Sequence, residues 1–201
     1  MSKEKLTIQQ RFQHLLKVLS GKRFLQMEGI GKEVPFYICS YEPEEALEME
    51  RLQKQLANKL ELSGIKICQV NLYDLAIELL KARGIWEQVL ETELCASKAE
   101  ILKLLQNVLD PQNHLIPAIG KIIDKAEYDI LFINGVGEVF PFIRSHNVLN
   151  NLQSTAKEKP TLMFFPGRYT QSLETGASLD LFGRLHDDKY YRAFNIFHCE
   201  A

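Results

Sequence analysis

Short apolar runs alternate along this chain with stretches whose apolar residues return every third or fourth position, an alternation that predicts strands and helices in turn. The strongest run is residues 129–134 (DILFIN), apolar at consecutive positions and therefore suited to a strand buried on both faces. Gly135-Val136-Gly137 follows as a tight turn, and then Phe140, Ile143, Val148, Leu149 and Leu152 fall at near-helical spacing. Strand, turn and helix in that order make the unit from which open α/β sheets are built. Residues 34–39, 65–70, 161–165 and 193–198 predict four further strands. A polar connector before the last of them leaves its direction open.

Helix signals fill the intervals. Thr7-Ile8-Gln9-Gln10 has the form of a capping box ahead of Phe12, Leu15, Leu16 and Leu19, and Gly21 stops that helix. Residues 22–33 read as a connector. Pro43, Glu44 and Glu45 suit the first turn of a helix striped by Met49, Leu52, Leu56 and Leu60. Asn71 to Asp74 caps a third helix carrying Leu75, Leu79 and Leu80. Residues 85–126 are helical throughout, with a second capping box at Ser97-x-x-Glu100 and a break at Asp110-Pro111. They form a helical insertion before the third strand, and the apolar face of Leu115, Ile119, Ile122 and Ile123 needs a cover, from this chain or a partner. Pro166-Gly167 closes the fourth strand. The expectation is one α/β domain over residues 1–201: a mostly parallel five-stranded sheet with helices on both faces. Its layout is like that of a P-loop NTPase without Walker motifs.

Composition narrows the function classes. A length of 201 residues fits one domain with a sizeable core, and 46% apolar with 25% charged residues is ordinary for a globular protein. A formal net charge of −2 argues against direct nucleic-acid binding. No apolar run approaches the roughly 20 residues that span a bilayer, and the first ten residues lack a signal-peptide core. Cys39, Cys68, Cys95 and Cys199 form no CxxC pair, which fits a reduced, cytoplasmic protein without a cysteine-based metal site.

The candidate chemistry is sparse. Gly135 and Gly137 stand where phosphate-binding turns stand, but Phe140 occupies the third glycine's place and Glu138 would repel a phosphate at the helix start. A sharp turn explains the glycines equally well. A P-loop needs a lysine followed by a hydroxyl residue. Gly21-Lys22, Gly31-Lys32 and Gly120-Lys121 are followed by Arg, Glu and Ile, and the turn after the first strand reads SYEPEE over residues 40–45. Arg168 lies just past the carboxyl end of the fourth strand, on the edge expected of Asn134. There it can hold an anion bidentately or clamp its own loops by pairing with Glu138 or an aspartate. Arg144, Ser145 and His146 are neighbours and point in different directions, so they assemble no triad; His146 reads as a surface or capping group. His186-Asp187-Asp188 lacks a second ligand pair for a metal. No catalytic residue, cofactor or metal set is expected.

Four segments occur in order in the closing half: FINGVGEVFPFIRSH (132–146), FFPGRY (164–169), LFGRL (181–185) and DDKYYRAF (187–194). Together they resemble the BrxB family of bacteriophage-exclusion (BREX) defence systems. The motifs cover roughly the last 70 residues, and the earlier part is similar only in length and layout. The resemblance implies a small cytosolic accessory component of a multi-protein phage-defence system. Such systems contain a DNA methyltransferase, a large ATPase and an alkaline-phosphatase-like protein, PglZ. The family carries no established catalytic residues. The function expected on this basis is a non-catalytic interaction subunit docking onto the PglZ-like protein and other BREX components. Arg144, Arg168, Tyr169, Tyr190, Tyr191 and Arg192 are its candidate contacts, because aromatic and arginine residues are enriched in interaction hot spots. Core packing explains the aromatic ones as well. The alternative is a nucleotide- or anion-binding enzyme working from the loops around Gly135 and Arg168.

Overall fold

A computed structural model describes residues 6–28, 35–152, 154–172, 176–187 and 193–200. The chain begins with α1 (Ile8–Leu19) and the one-turn α2 (Lys22–Leu25), then enters β1 (Phe36–Tyr41). A 3-10 turn (Pro43–Glu45) opens α3 (Ala46–Leu62), which leads to β2 (Ile67–Asn71) and α4 (Leu72–Ala82). α5 (Trp86–Glu93), α6 (Lys98–Val108), a π-turn (Pro111–Leu115) and α7 (Ile116–Lys125) precede β3 (Ile130–Asn134). The remainder is α8 (Ser145–Leu152), β4 (Thr161–Ser172), β5 (Gly176–Leu181), β6 (Leu185–Asp187), β7 (Phe194–Asn195) and a 3-10 turn (Ile196–His198).

Five strands run parallel in the order β2-β3-β4-β1-β7, with Phe36 level with Thr161, Leu131 with Thr161 and Cys68 with Leu131. Parallel neighbours require helical crossovers, and these cover both faces. Phe36, Ile38, Leu131, Ile133, Met163 and Phe165 pack beneath α4, α5, α7 and α8. The alternate residues Tyr37, Cys39, Ile130, Phe132, Leu162 and Phe164 pack beneath α1, α2 and α3. Phe132 and Phe164 meet edge-on at the centre, 5.3 Å between ring centroids. The Cys39 thiol, sealed in this second layer, is pushed up to about 12 by burial, so it is inert packing.

The helix starts follow the local rules. Thr7 Oγ1 accepts the Gln10 amide at 3.2 Å while Gln10 Oε1 accepts the Thr7 amide at 2.8 Å, a reciprocal box worth about 1 kcal/mol. Asn71 Oδ1 accepts the amides of Tyr73 and Asp74, and Ser97 with Glu100 repeats the box at α6. Asp110 Oδ1 accepts the Asn113 amide and closes the break at Pro111. The apolar face of the insertion is covered by the chain itself: Leu115, Ile119 and Ile123 are buried in the first layer, with Ile122 partly so.

Four expectations are corrected. Among the described residues the sheet has seven strands rather than five. Strand β4 does not stop at Pro166-Gly167 but runs on to Ser172, leaving the parallel sheet to pair antiparallel with β5, which pairs with β6. Pro166 marks the crossing because a residue without an N–H is tolerated where a strand changes partners. The strand expected over residues 193–198 shrinks to β7, since Asn195 accepts the Phe197 amide at 3.0 Å and starts a 3-10 turn. The helix after Gly137 begins only at Ser145, because Pro141 excludes the helical conformation at Phe140 and removes a donor.

Candidate functional site

Ligands of open α/β sheets sit outside the carboxyl ends of the strands, where neighbouring connections depart in opposite directions. That point here lies between β1, whose connection runs to the far-edge strand β2, and β4, whose connection runs to β5 and β7. It is plugged. A Cβ on Gly137 would meet the Pro166 ring at 2.9 Å and the Phe182 ring at 3.1 Å. Phe182, in the turn between β5 and β6, also meets Phe140 edge-on. The glycines thus serve close packing of two loops. Gly135, at φ +72, passes the capping loop of α4 so closely that a Cβ would lie 2.3 Å from Asn71 Oδ1.

The open space lies beside the plug. A crevice of about 820 Å³ is bounded by the ends of β1, β2 and β3 and by α3 and α4. Glu50, Asp74, Glu78 and Glu138 line it, against one lysine, Lys54, whose Nζ donates to Glu50 Oε1 at 2.6 Å. At its floor Asn134 Nδ2 donates to Gln53 Oε1 at 3.0 Å, while Asn134 Oδ1 is buried without a partner. Tyr41 forms one wall; burial, then the neighbouring Cys39 and the Glu138 carboxylate, push its hydroxyl up to about 12. Its negative field attracts cations and repels phosphates.

Arg168 stands outside this crevice. Its side chain is 65% exposed, with Nε 3.6 Å from Glu42 Oε1 on the β1 loop, rather than paired with Glu138. Gly167 to Tyr169 is strand, cross-paired with Leu181 to Leu179, and not a loop facing the Gly135 turn. Tyr169 is buried; its hydroxyl donates to the Ala193 carbonyl at 2.6 Å and is pushed up to about 12 by burial. Arg144 is exposed immediately before α8, its carbonyl accepting the Asn147 and Val148 amides. His146 is buried at 2% exposure, not at the surface, because it shares the inward face of α8 with Leu149. Tyr190, Tyr191 and Arg192 lie outside the described residues. Sequence reasoning missed Gln53, Asp74 and Glu78. The available signal was Asp74 and Glu78 at i and i+4, one helix directly after a strand end.

An acidic carboxyl edge has a direct consequence for nucleotides. Calorimetric titration with Mg-ATP is expected to give no saturable heat, since the loop after β1 offers Glu42, Glu44 and Glu45 where a P-loop offers lysine and backbone amides. A micromolar dissociation constant would contradict this electrostatic reading.

These features define a parallel α/β protein whose carboxyl edge is acidic and partly plugged rather than shaped for phosphate. A family model described as BREX protein BrxB matches residues 68–196. A BREX protein BrxB of Bacillus cereus (strain H3081.97) is 34% identical over 194 residues, covering 94% of this chain and 97% of that protein. A second, of Escherichia coli O9:H4 (strain HS), is 29% identical over 189 residues, covering 94% and 91%. The chain belongs to the BrxB family of BREX phage-defence proteins. The similarity therefore extends well upstream of the four closing motifs. No solved structure matches this fold. Among the described residues, no helix is long and apolar enough to cross a membrane.

Proposed function

We propose that this chain is a single-domain, non-catalytic accessory subunit of a cytosolic BREX assembly. It docks onto the PglZ-like component and, through it, meets the other BREX proteins. The observation that carries the reading is the close packing of the Gly137 turn on Pro166 and Phe182, beside the position where a layout of this kind holds its ligand. The strand order, with β1 between β4 and β7, supports reading the fold as P-loop-NTPase-like with the phosphate loop replaced. The anion-binding alternative is weakened by the partners of its two residues: Gly135 abuts Asn71, and Arg168 faces Glu42.

Arg168 is the residue on which the docking reading is most directly tested. Its exposed ion pair is worth at most about 1 kcal/mol, so Arg168→Ala is expected to leave the melting temperature nearly unchanged. Desolvated at an interface, the same guanidinium contributes about 2 kcal/mol or more, roughly thirtyfold in affinity. Co-purification and titration of the wild type and Arg168→Ala with the PglZ-like component measure both quantities. Failure of the wild type to associate removes the docking reading, and unchanged affinity in the variant removes Arg168 from it.

A further inference from the structure

Four carboxylates border the crevice at the ends of β1, β2 and β3, and helix-start electrostatics account for only one of them. Asp74 is the third residue of α4, where a negative charge offsets the helix's positive end. Glu78 is a full turn further on, Glu50 lies beyond the first turn of α3, and Glu138 is on the turn after β3. Asp74 and Glu78 are also like charges at i and i+4, a spacing that destabilises an isolated helix. Lys54 offsets Glu50 alone, which leaves Asp74, Glu78 and Glu138 without a lysine or arginine among the residues lining the crevice.

The floor carries an independent sign. Gln53 is only 6% exposed, yet its one hydrogen bond is the one its Oε1 accepts from Asn134. Gln53 lines the crevice, and Asn134 Oδ1 is buried there without a donor. Buried amides are ordinarily satisfied. Exchanging oxygen and nitrogen in both amides preserves their mutual bond and frees the Oε1 of Gln53, a crevice-lining residue, as an acceptor.

We propose that this crevice is a socket for a basic side chain, arginine or lysine, presented by a protein partner, an inference that rests on the accessory-subunit reading above. A guanidinium or ammonium group supplies the several N–H donors that spread carboxylates and an amide oxygen receive. A metal ion fits poorly: among the described residues, no three His, Cys, Asp or Glu side chains are grouped to hold one. A free polyamine shares the chemistry, but the rim favours a protein. Leu47, 71% exposed at the mouth, is apolar surface that a protein bearing the basic residue covers and a small polycation leaves wet.

The test uses the isolated, isotope-labelled chain, titrated by NMR with N-acetyl-arginine amide, its uncharged counterpart N-acetyl-citrulline amide, and spermidine. The arginine probe is expected to move the backbone amides of Asn71, Asp74 and Gly135 saturably, and the citrulline probe to leave them in place. The variant E50Q/D74N/E78Q is expected to weaken the arginine probe at least about tenfold. All three residues are exposed, and Glu78→Gln alone serves if the triple variant melts early. No saturable shift with either cation overturns the socket, and leaves the co-purification result to stand or fall separately. Tighter binding of spermidine than of the arginine probe overturns the partner side chain in favour of a free polyamine. In the co-purification assay the triple variant is expected to lose affinity for the PglZ-like component; unchanged affinity overturns the socket's role in docking.

Discussion

Gly167→Ala lowers the unfolding free energy by about 3 kcal/mol or more, the larger of two contrasting glycine effects in this chain. At Gly167 an added Cβ falls 2.1 Å from the Asp180 carbonyl oxygen and 2.9 Å from the Phe182 amide nitrogen. Those atoms are backbone of β5 and of the turn that follows it, so no side-chain rotation relieves the contact; β4 and β5 must separate or the hairpin must shift. Gly64, at φ +84 with nothing within 4 Å of an added Cβ, is the matched control. There an alanine meets only the intrinsic penalty of left-handed backbone, about 1–2 kcal/mol. Urea unfolding followed by circular dichroism compares the two. Equal losses at both positions would show that the hairpin gives way cheaply and that close approach at β4 is not what requires the glycine.

Phe132→Ala is expected to cost about 3–5 kcal/mol, the range for removing a fully buried aromatic ring. Phe132 has no exposed surface, sits on β3 between β2 and β4 and loses its edge-on contact with Phe164. Phe132→Leu keeps most of the volume and is expected to cost less than half as much. Against a stability of about 5–15 kcal/mol for a domain, the alanine variant approaches the point at which purified protein is partly unfolded. A loss below about 1 kcal/mol in the same unfolding assay would mean that the second layer beneath α1 and α3 is loosely packed.

The two variants mark what was legible in the sequence. Phe132 belongs to a run that only a doubly covered strand explains, and the capping residues Thr7, Asn71 and Ser97 announced their helices through chemistry confined to four positions. His146 was misjudged because its polar ring was read as a surface group, and Tyr169, a candidate contact, is buried. Tyr169's burial depends on where Ala193 arrives in space, a tertiary fact with no local trace, whereas His146's lies in its helical spacing with Leu149. The hairpin of β5 and β6 was invisible for a related reason. Residues 176–187 alternate too weakly, and Pro166-Gly167 carries the signature of a stop whether the strand ends or changes sheets. The acidic character of the β1 loop was legible, but not the crevice, which is assembled from α3, α4 and the ends of three strands.

The placement of β1 has a bearing on how much of such a chain constitutes a self-sufficient piece. The family signature begins at residue 68, inside β2, and omits β1 altogether. Yet β1 is the wedge between β4 and β7, which pair with it on opposite sides. A fragment cut to the signature would leave β4 with an open edge and β7 with no neighbour. It would also strip α1 and α3 from one side of the sheet, baring Phe132, Leu162 and Phe164 to water. The segment matched by the family model is therefore not expected to fold on its own. A split or fusion that preserves the fold is expected to keep residues 36–62 together with the closing half.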